Sequence, residues 1–341
     1  MEISKIPWDT EFKRFTGSPN LFIPNEYTEE MRLLITGGTG MLGSALSRIA
    51  LQAGLDVIIP TRNVLDLRDN FQVREFLIKN RPDTVIHSAA LVGGISANIA
   101  HPVEFLSENV RMDNNLLQSC NEIGVQRLIY FGSSCMYPTN LTNPMTVDQL
   151  YSGKLEPTNE GYALSKLVGA KHVQYVAQTK KVDWKVYISS NLYGPGDHFE
   201  FERSHLIAAI IRKVVEAKIN GSTNIDVWGD GLARREFTFV EDLAEFTIAS
   251  LDKLENVPIM MNVGSGIDYS VSEYYGMVMD ALNVRGELNL DSSKPVGMSQ
   301  KLLNVSVARS HGWKPKTSIS SGLATTINWY LKTNKIIFPD E

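Results

Sequence analysis

Short apolar runs alternate with longer stretches in which apolar residues recur every three or four positions, first as strand, then as helix. RLLIT (32 to 36), DVIIP (56 to 60), TVIHSA (84 to 89), RLIYFGS (127 to 133) and KVYIS (185 to 189) read as buried strands. Helical spacing fills 41 to 54, 70 to 80, 102 to 123 and 162 to 180. Regular alternation of this kind predicts an α/β fold, a doubly wound, mainly parallel sheet with helices on both faces. From about Asn191 the rhythm loosens into turns such as LYGPGD and WGDGLARRE, which predicts a smaller second lobe.

Glycines mark the first strand-to-helix turn. TGGTGMLG, residues 36 to 43, follows RLLI and opens a helical pattern, so Gly37, Gly40 and Gly43 lie where a helix N-terminus presents its amides to a pyrophosphate. Gly38 fits the same fingerprint in its other register. This arrangement predicts a Rossmann-type dinucleotide-binding domain over 31–190, with 191–341 mainly a substrate-binding lobe that sends some segments back. At the end of the second strand, where a ribose-binding acid belongs, the chain has Arg62. A guanidinium there suits a 2′-phosphate, so NADP(H) is the expected cofactor, although arginine on its own is also an ordinary surface residue. Asp66 is placed to face the adenine.

YALSK sets Tyr162 and Lys166 four apart on one helix face. Such a pair is common by chance, but here it follows the glycine fingerprint and the serines of FGSSC. Ser133 and Tyr162 then hydrogen-bond a carbonyl that receives hydride, and Lys166 favours the phenolate.

With 341 residues, 43% hydrophobic and 21% charged, the chain has material for a full core in two lobes. A net charge of −5 gives no overall attraction for nucleic acid, and an anionic ligand must meet local Lys and Arg. Two cysteines, Cys120 and Cys135, permit at most one disulfide and give no zinc spacing, which points to a reducing compartment. No run approaches the roughly 18 apolar residues of a membrane span, and a cytoplasmic location is expected. Residues 1 to 30 carry Trp8, Phe12, Phe15, Phe22 and Tyr27, and read either as a flexible extension or as a segment packed on the surface.

TGGTGMLG, FGSSCMYP and YALSK together resemble the extended short-chain dehydrogenase/reductase family. AALVGGISAN, LEPTNEGYALSK, NLYGPGDHF, RSHLI, VWGDG, RREF, NVGSG and KLLNV extend the likeness, from about Leu33 to the C-terminus, to its branch that epimerises and reduces GDP-4-keto sugars. The resemblance implies conversion of GDP-4-keto-6-deoxy-D-mannose to GDP-L-fucose with NADPH. It implies Cys135 and His205 as the acid/base pair on opposite faces of the sugar, with His198 a rival for His205. On residue type alone Cys135 is more simply a small buried side chain, and His205 has no local signature.

Further implied positions are Met41, Leu42 and His87 toward the cofactor and Lys213, Arg235 and Lys301 toward the diphosphate. Trp228 is either a substrate-side or a buried structural residue. A homodimer through the helices at 102 to 123 and 162 to 180 is implied as well. Val296 and Gln300 stand where a carboxylate and a guanidinium are expected, which leaves a related GDP-keto sugar (3-deoxy or heptose) open. A GDP-mannose 3,5-epimerase, a reductase with little epimerase activity and a non-catalytic NADPH sensor are the competing readings.

Overall fold

The computed structural model describes residues 31–201, 204–294 and 296–338, and the expectation for residues 1 to 30 falls outside them. The first half follows the strand-helix rhythm: β1 (Arg32–Thr36), α1 (Met41–Gln52), β2 (Asp56–Ile58), α2 (Asn70–Asn80), β3 (Thr84–His87), α3 (Ile95–Ala100), α4 (Pro102–Ile123), β4 (Arg127–Ser133), α5 (Glu160–Lys180) and β5 (Asp183–Ser189). Beyond it come β6 (Asn191–Tyr193), α6 (Leu206–Asn220), β7 (Asn224–Trp228), β8 (Arg234–Phe239), α7 (Val240–Ala249), β9 (Met260–Val263), β10 (Asp268–Ser270), α8 (Val271–Ala281), β11 (Glu287–Asp291), β12 (Gln300–Lys301), α9 (Ser306–Ser310) and α10 (Ile319–Thr333).

The large sheet runs β2-β1-β3-β4-β5-β9 with every pair parallel, the doubly wound Rossmann-type arrangement. Where they are central its strands are buried, β3 from end to end and β4 in all but its two terminal residues, because helices cover both faces. Chain order reverses between β1 and β3, and at such a switch point the strand C-termini open a crevice. Two strands are shorter than the apolar runs. β2 stops at Ile58 before Pro60, which has no N–H for a ladder, and β3 stops at His87.

The sixth strand comes from far along the chain. β9 pairs with β5, and α7 packs on α1 through the Arg48–Glu241 ion pair at 2.7 Å. A second core lies under α6, α8 and α10, around Ile207, Ile211, Tyr274 and Leu323, beside a small sheet of β10, β8, β12 and β6. β7 and β11 form a separate parallel pair.

α1 sits hard against the turn that leads into it. Gly37 has φ +73°, a conformation that side chains rarely adopt, and a Cβ there would meet the Ala89 backbone at 2.6 Å. A Cβ on Gly43 would stand 2.0 Å from the Gly37 carbonyl oxygen. Gly43→Ala therefore forces helix and turn apart at a cost of about 1 to 3 kcal/mol. The expected result is a lower urea midpoint with an unchanged m-value; an unchanged midpoint would show that the turn yields freely.

Candidate active site

A cleft of about 1020 Å³ opens along the C-terminal edge of the large sheet and continues between the lobes. One end is floored by the glycine turn. Gly40 caps α1 without a side chain, and the first turn of that helix carries no acidic residue, so its amides face an anion unopposed. With no room for a methyl at Gly37 or Gly43, the backbone makes the close cradle that a dinucleotide pyrophosphate requires.

Gly37, Gly40, Met41, Leu42 and Gly43 all line this end, followed by Arg62 and Asp66. Arg62 is exposed and, apart from its field on Asp66, makes no hydrogen bond or ion pair to another described residue. Asp66 is differently placed: Arg68, two residues on, donates from Nε to its Oδ1 at 2.9 Å, and that hydrogen bond leads the causes that hold the carboxylate at about 2. Arg68 also reaches Glu108. The uncommitted guanidinium at the ribose end is thus Arg62, and the residues fit an NADP(H) adenosine.

His87 is the one expected cofactor residue that does not line the cleft. It is fully buried, bonded through Nδ1 with the Thr36 hydroxyl at 2.7 Å and through Nε2 with Asp113 at 3.0 Å. Side chains alternate along a strand, and β3 turns this one into the sheet–helix layer.

At the middle of the cleft β4 ends at Ser133, in register with Ser189 of β5, and a short 3-10 turn carries the chain through Cys135. The Ser133 hydroxyl accepts from the Cys135 amide at 3.2 Å. Tyr162 and Lys166 enter from the first turns of α5. Burial, then the neighbouring Cys135 and Asp113, raise the Tyr162 phenol well above its ordinary value, against a hydrogen bond from Ser133. Tyr162 is thus a protonated donor across neutral pH. Burial pulls the Lys166 ammonium down and Asp113, 3.9 Å away, opposes it.

Asn159 Nδ2 donates to Cys135 Sγ at 3.3 Å, and Lys301 Nζ lies 3.7 Å from the same sulfur. The thiol therefore stands between an amide donor and a cation. Lys301, expected at the diphosphate, lines the cleft and is placed by β12 beside the thiol. Cys120 lies in the core of the large domain, and neither cysteine is in a disulfide. His205 caps α6 on the opposite lobe and lines the cleft, its imidazole held below the usual value by burial and by His198. His198 lines it too, exposed and 3.6 Å from Glu200.

Farther along the cleft, Arg235 donates to the carbonyls of Arg234 and Val296, and Lys213 donates to that of Asp226. Both line the cleft, as does Trp228, which is 40% exposed and meets Phe201 edge to face at 6.5 Å. Of the two departures, Val296 faces the opening, whereas Gln300 donates to Asp268 and is outside the cleft.

Several residues that shape the site carry no motif. Asn109 and Asp113 stand on the buried stripe of α4 with Phe105 and Leu116, and Asn109 exchanges hydrogen bonds with Leu91 in a cleft-wall loop. Polar residues on an otherwise apolar stripe were the available signal.

A model of the NAD dependent epimerase/dehydratase family matches residues 33–264, and the chain belongs to that family. It is 42% identical to a GDP-L-fucose synthase of Azorhizobium caulinodans over 305 residues, 89% of this chain and 98% of the relative. A GDP-L-colitose synthase of Yersinia pseudotuberculosis is 39% identical over 88% of this chain and 98% of its own. Among solved structures, the GDP-D-glycero-L-gluco-heptose synthase of Campylobacter jejuni in the presence of NADPH superposes with a TM-score of 0.83 at 27% identity, covering 89% of this chain and 99% of that one. The resemblance read from the motifs is borne out.

Asp197 lines the cleft as a buried carboxyl, pushed up to about 7 by burial despite a bond from the His198 amide. It holds its proton more tightly folded than unfolded, where a carboxyl titrates near about 3.9. Its contribution to stability is complete below that value and is lost as pH rises through about 7. Asp197→Asn should flatten the fall of Tm between those values while leaving the share due to Glu236, also raised to about 7 by burial. An equally steep profile in the variant would place the titration elsewhere.

Proposed function

We propose that this protein converts GDP-4-keto-6-deoxy-D-mannose to GDP-L-fucose, inverting C3 and C5 and then reducing C4 with NADPH. The observation that carries the reading is the thiol of Cys135 flanked by Asn159 and Lys301, across the cleft from His205 and beside Ser133 and Tyr162. Inversion next to a ketone takes a proton from one face and returns one to the other, so acid/base groups on two walls are what the chemistry needs. Cys135 and His205 fill those places. The hydroxyls of Ser133 and Tyr162 hold the C4 oxygen, first as an enolate and later as an alkoxide. Bound NADPH supplies the hydride to C4. Tyr162 then gives its proton to the oxygen, with the Lys166 charge stabilising the phenolate left behind.

Lys213 and Arg235 serve the diphosphate, and Trp228 the nucleoside. Support for this substrate comes from the 42% identical relative named GDP-L-fucose synthase. Gln300, turned to Asp268 where a guanidinium was expected, favours a second reading in which a related GDP-4-keto sugar is used; the 39% identical relative is named GDP-L-colitose synthase. We also infer a homodimer through α4 and α5, whose outer faces leave Leu106, Leu164, Val168 and Tyr175 exposed. Two unpaired thiols support a cytoplasmic setting.

The test is incubation with the GDP-4-keto sugar and NADPH in D₂O, with NMR of the product. Deuterium at C3 and C5 together with NADPH oxidation is the expected result, and reduction without exchange would leave only a 4-reductase. Cys135→Ala should still bind NADPH but lose roughly 10² to 10⁴ in exchange rate; exchange at the parent rate would make the thiol structural. Arg62→Ala should weaken NADPH far more than NADH, whereas equal losses would remove the guanidinium from the 2′-phosphate.

A further inference from the structure

Behind the cleft lies a set of buried ionisable groups that the reaction as written does not use. Asp113, on the inner stripe of α4, is 2% exposed. His87 from β3 donates to its Oδ1 at 3.0 Å, and Tyr130 from β4 donates to its Oδ2 at 2.5 Å. Lys166 from α5 is 3.9 Å from the same Oδ2 and lies 4.6 Å from the centre of the Tyr130 ring. Three separate elements thus converge on one carboxylate borne by a fourth. Packing leaves no slack around it: a Cβ on Gly169, one turn beyond Lys166, would stand 2.4 Å from the Tyr130 oxygen and 3.0 Å from Oδ2.

A paired charge this deep is costly to form and is not needed to fill space, since a neutral isostere would pack as well. Lys166 itself is 3% exposed, so its ammonium requires a counter-charge to stay protonated beside Tyr162. No other carboxylate is an ion-pair partner of Lys166 among the described residues. We propose that Asp113 is a positioning residue of the active site, the counter-ion that keeps Lys166 charged and aimed at the hydride-transfer centre, with His87 and Tyr130 fixing the carboxylate. His87 in turn is tied to Thr36 at the end of β1, so the same chain of contacts runs from the glycine turn to the catalytic helix. The ionisable groups facing the pair are His87 from β3, Tyr130 from β4 and Tyr162 from α5, with Cys135 acting on Tyr162. Burial lowers Lys166 even with Asp113 present, and loss of the carboxylate acts in the same direction.

The experiment compares the full chain with Asp113→Asn, which keeps size and a carbonyl acceptor. Protein labelled with [ε-¹³C]lysine is titrated by NMR, the Lys166 signal being assigned by its disappearance in Lys166→Met, and kcat and KM are followed against pH. Removing an opposite charge at this range should lower the Lys166 midpoint by about 1 to 3 pH units. The alkaline limb of kcat should descend by the same interval, with the Kd for NADPH within about threefold of the parent. Unchanged titration and an unchanged limb, with only a fall in Tm, would reduce Asp113 to a structural role and overturn the proposal. Asp113→Ser provides a second carboxylate-free variant, and failure of both to fold would also overturn it by making the carboxylate a determinant of folding. Only the kinetic arm rests on the function proposed above: a parent that does not turn over the GDP-keto sugar defeats that function, and the titration still decides the role of Asp113.

Discussion

One close approach governs the molecule: α1 lies so near the turn after β1 that no Cβ fits between Gly43 and the Gly37 carbonyl. A helix farther from the sheet would lift its first amides away from the place where a pyrophosphate bridges strand and helix. The same turn presses on Ala89 after β3, so the two strands that flank the switch point are locked through it. Distances in the rest of the cleft are measured from that fixed end, because β4 and β5 continue the same parallel sheet.

From this frame the candidate site is divided between walls drawn from two cores. Ser133, Cys135, Tyr162 and Lys166 stand on β4, its following turn and α5, which pack closely on one another. His205, Lys213 and Arg235 arrive on α6 and β8, which belong to a different core. Two consequences follow for the reacting groups. The tyrosine and lysine are held in low dielectric, where each hydrogen bond and charge counts for more. Across the cleft, Lys213 and Arg235 are already bonded to backbone carbonyls, which limits their freedom before any ligand arrives.

The large sheet was legible in the sequence because parallel strands buried on both faces are written as uninterrupted apolar runs, and the glycine turn because a close approach admits only one residue type. Motif spacing gathered Ser133, Tyr162 and Lys166, since helical periodicity alone puts the last two on one face. Cys135 and His205 were reached through resemblance, as neither has neighbours in sequence that state its surroundings. His87 was placed toward the cofactor by the same resemblance, whereas the pleat turns it toward Asp113. Asn159, Asp113 and Arg68 went unread because their partners are remote in sequence or because a nearby carboxylate was assigned to a ligand. Lys301 shows the limit most plainly, as its contact with Cys135 spans 166 positions and leaves no periodic trace.

The late arrival of β9 bears on how the chain is made. Until residue 263 has been synthesised, β5 is the outer strand of an incomplete sheet, with an open row of amides and carbonyls along its edge. Five strands can assemble as they emerge, but the edge stays exposed while β6, α6, β7, β8 and α7 are still being added. A nascent chain in that interval offers a template for pairing with another copy of itself, and the interval closes only after β6, α6, β7 and β8 of the second lobe have been added, with α8 and α10 still to come. The two lobes are therefore poor candidates for separate expression: cutting the chain after β5 leaves the dinucleotide half with a permanent, adhesive edge.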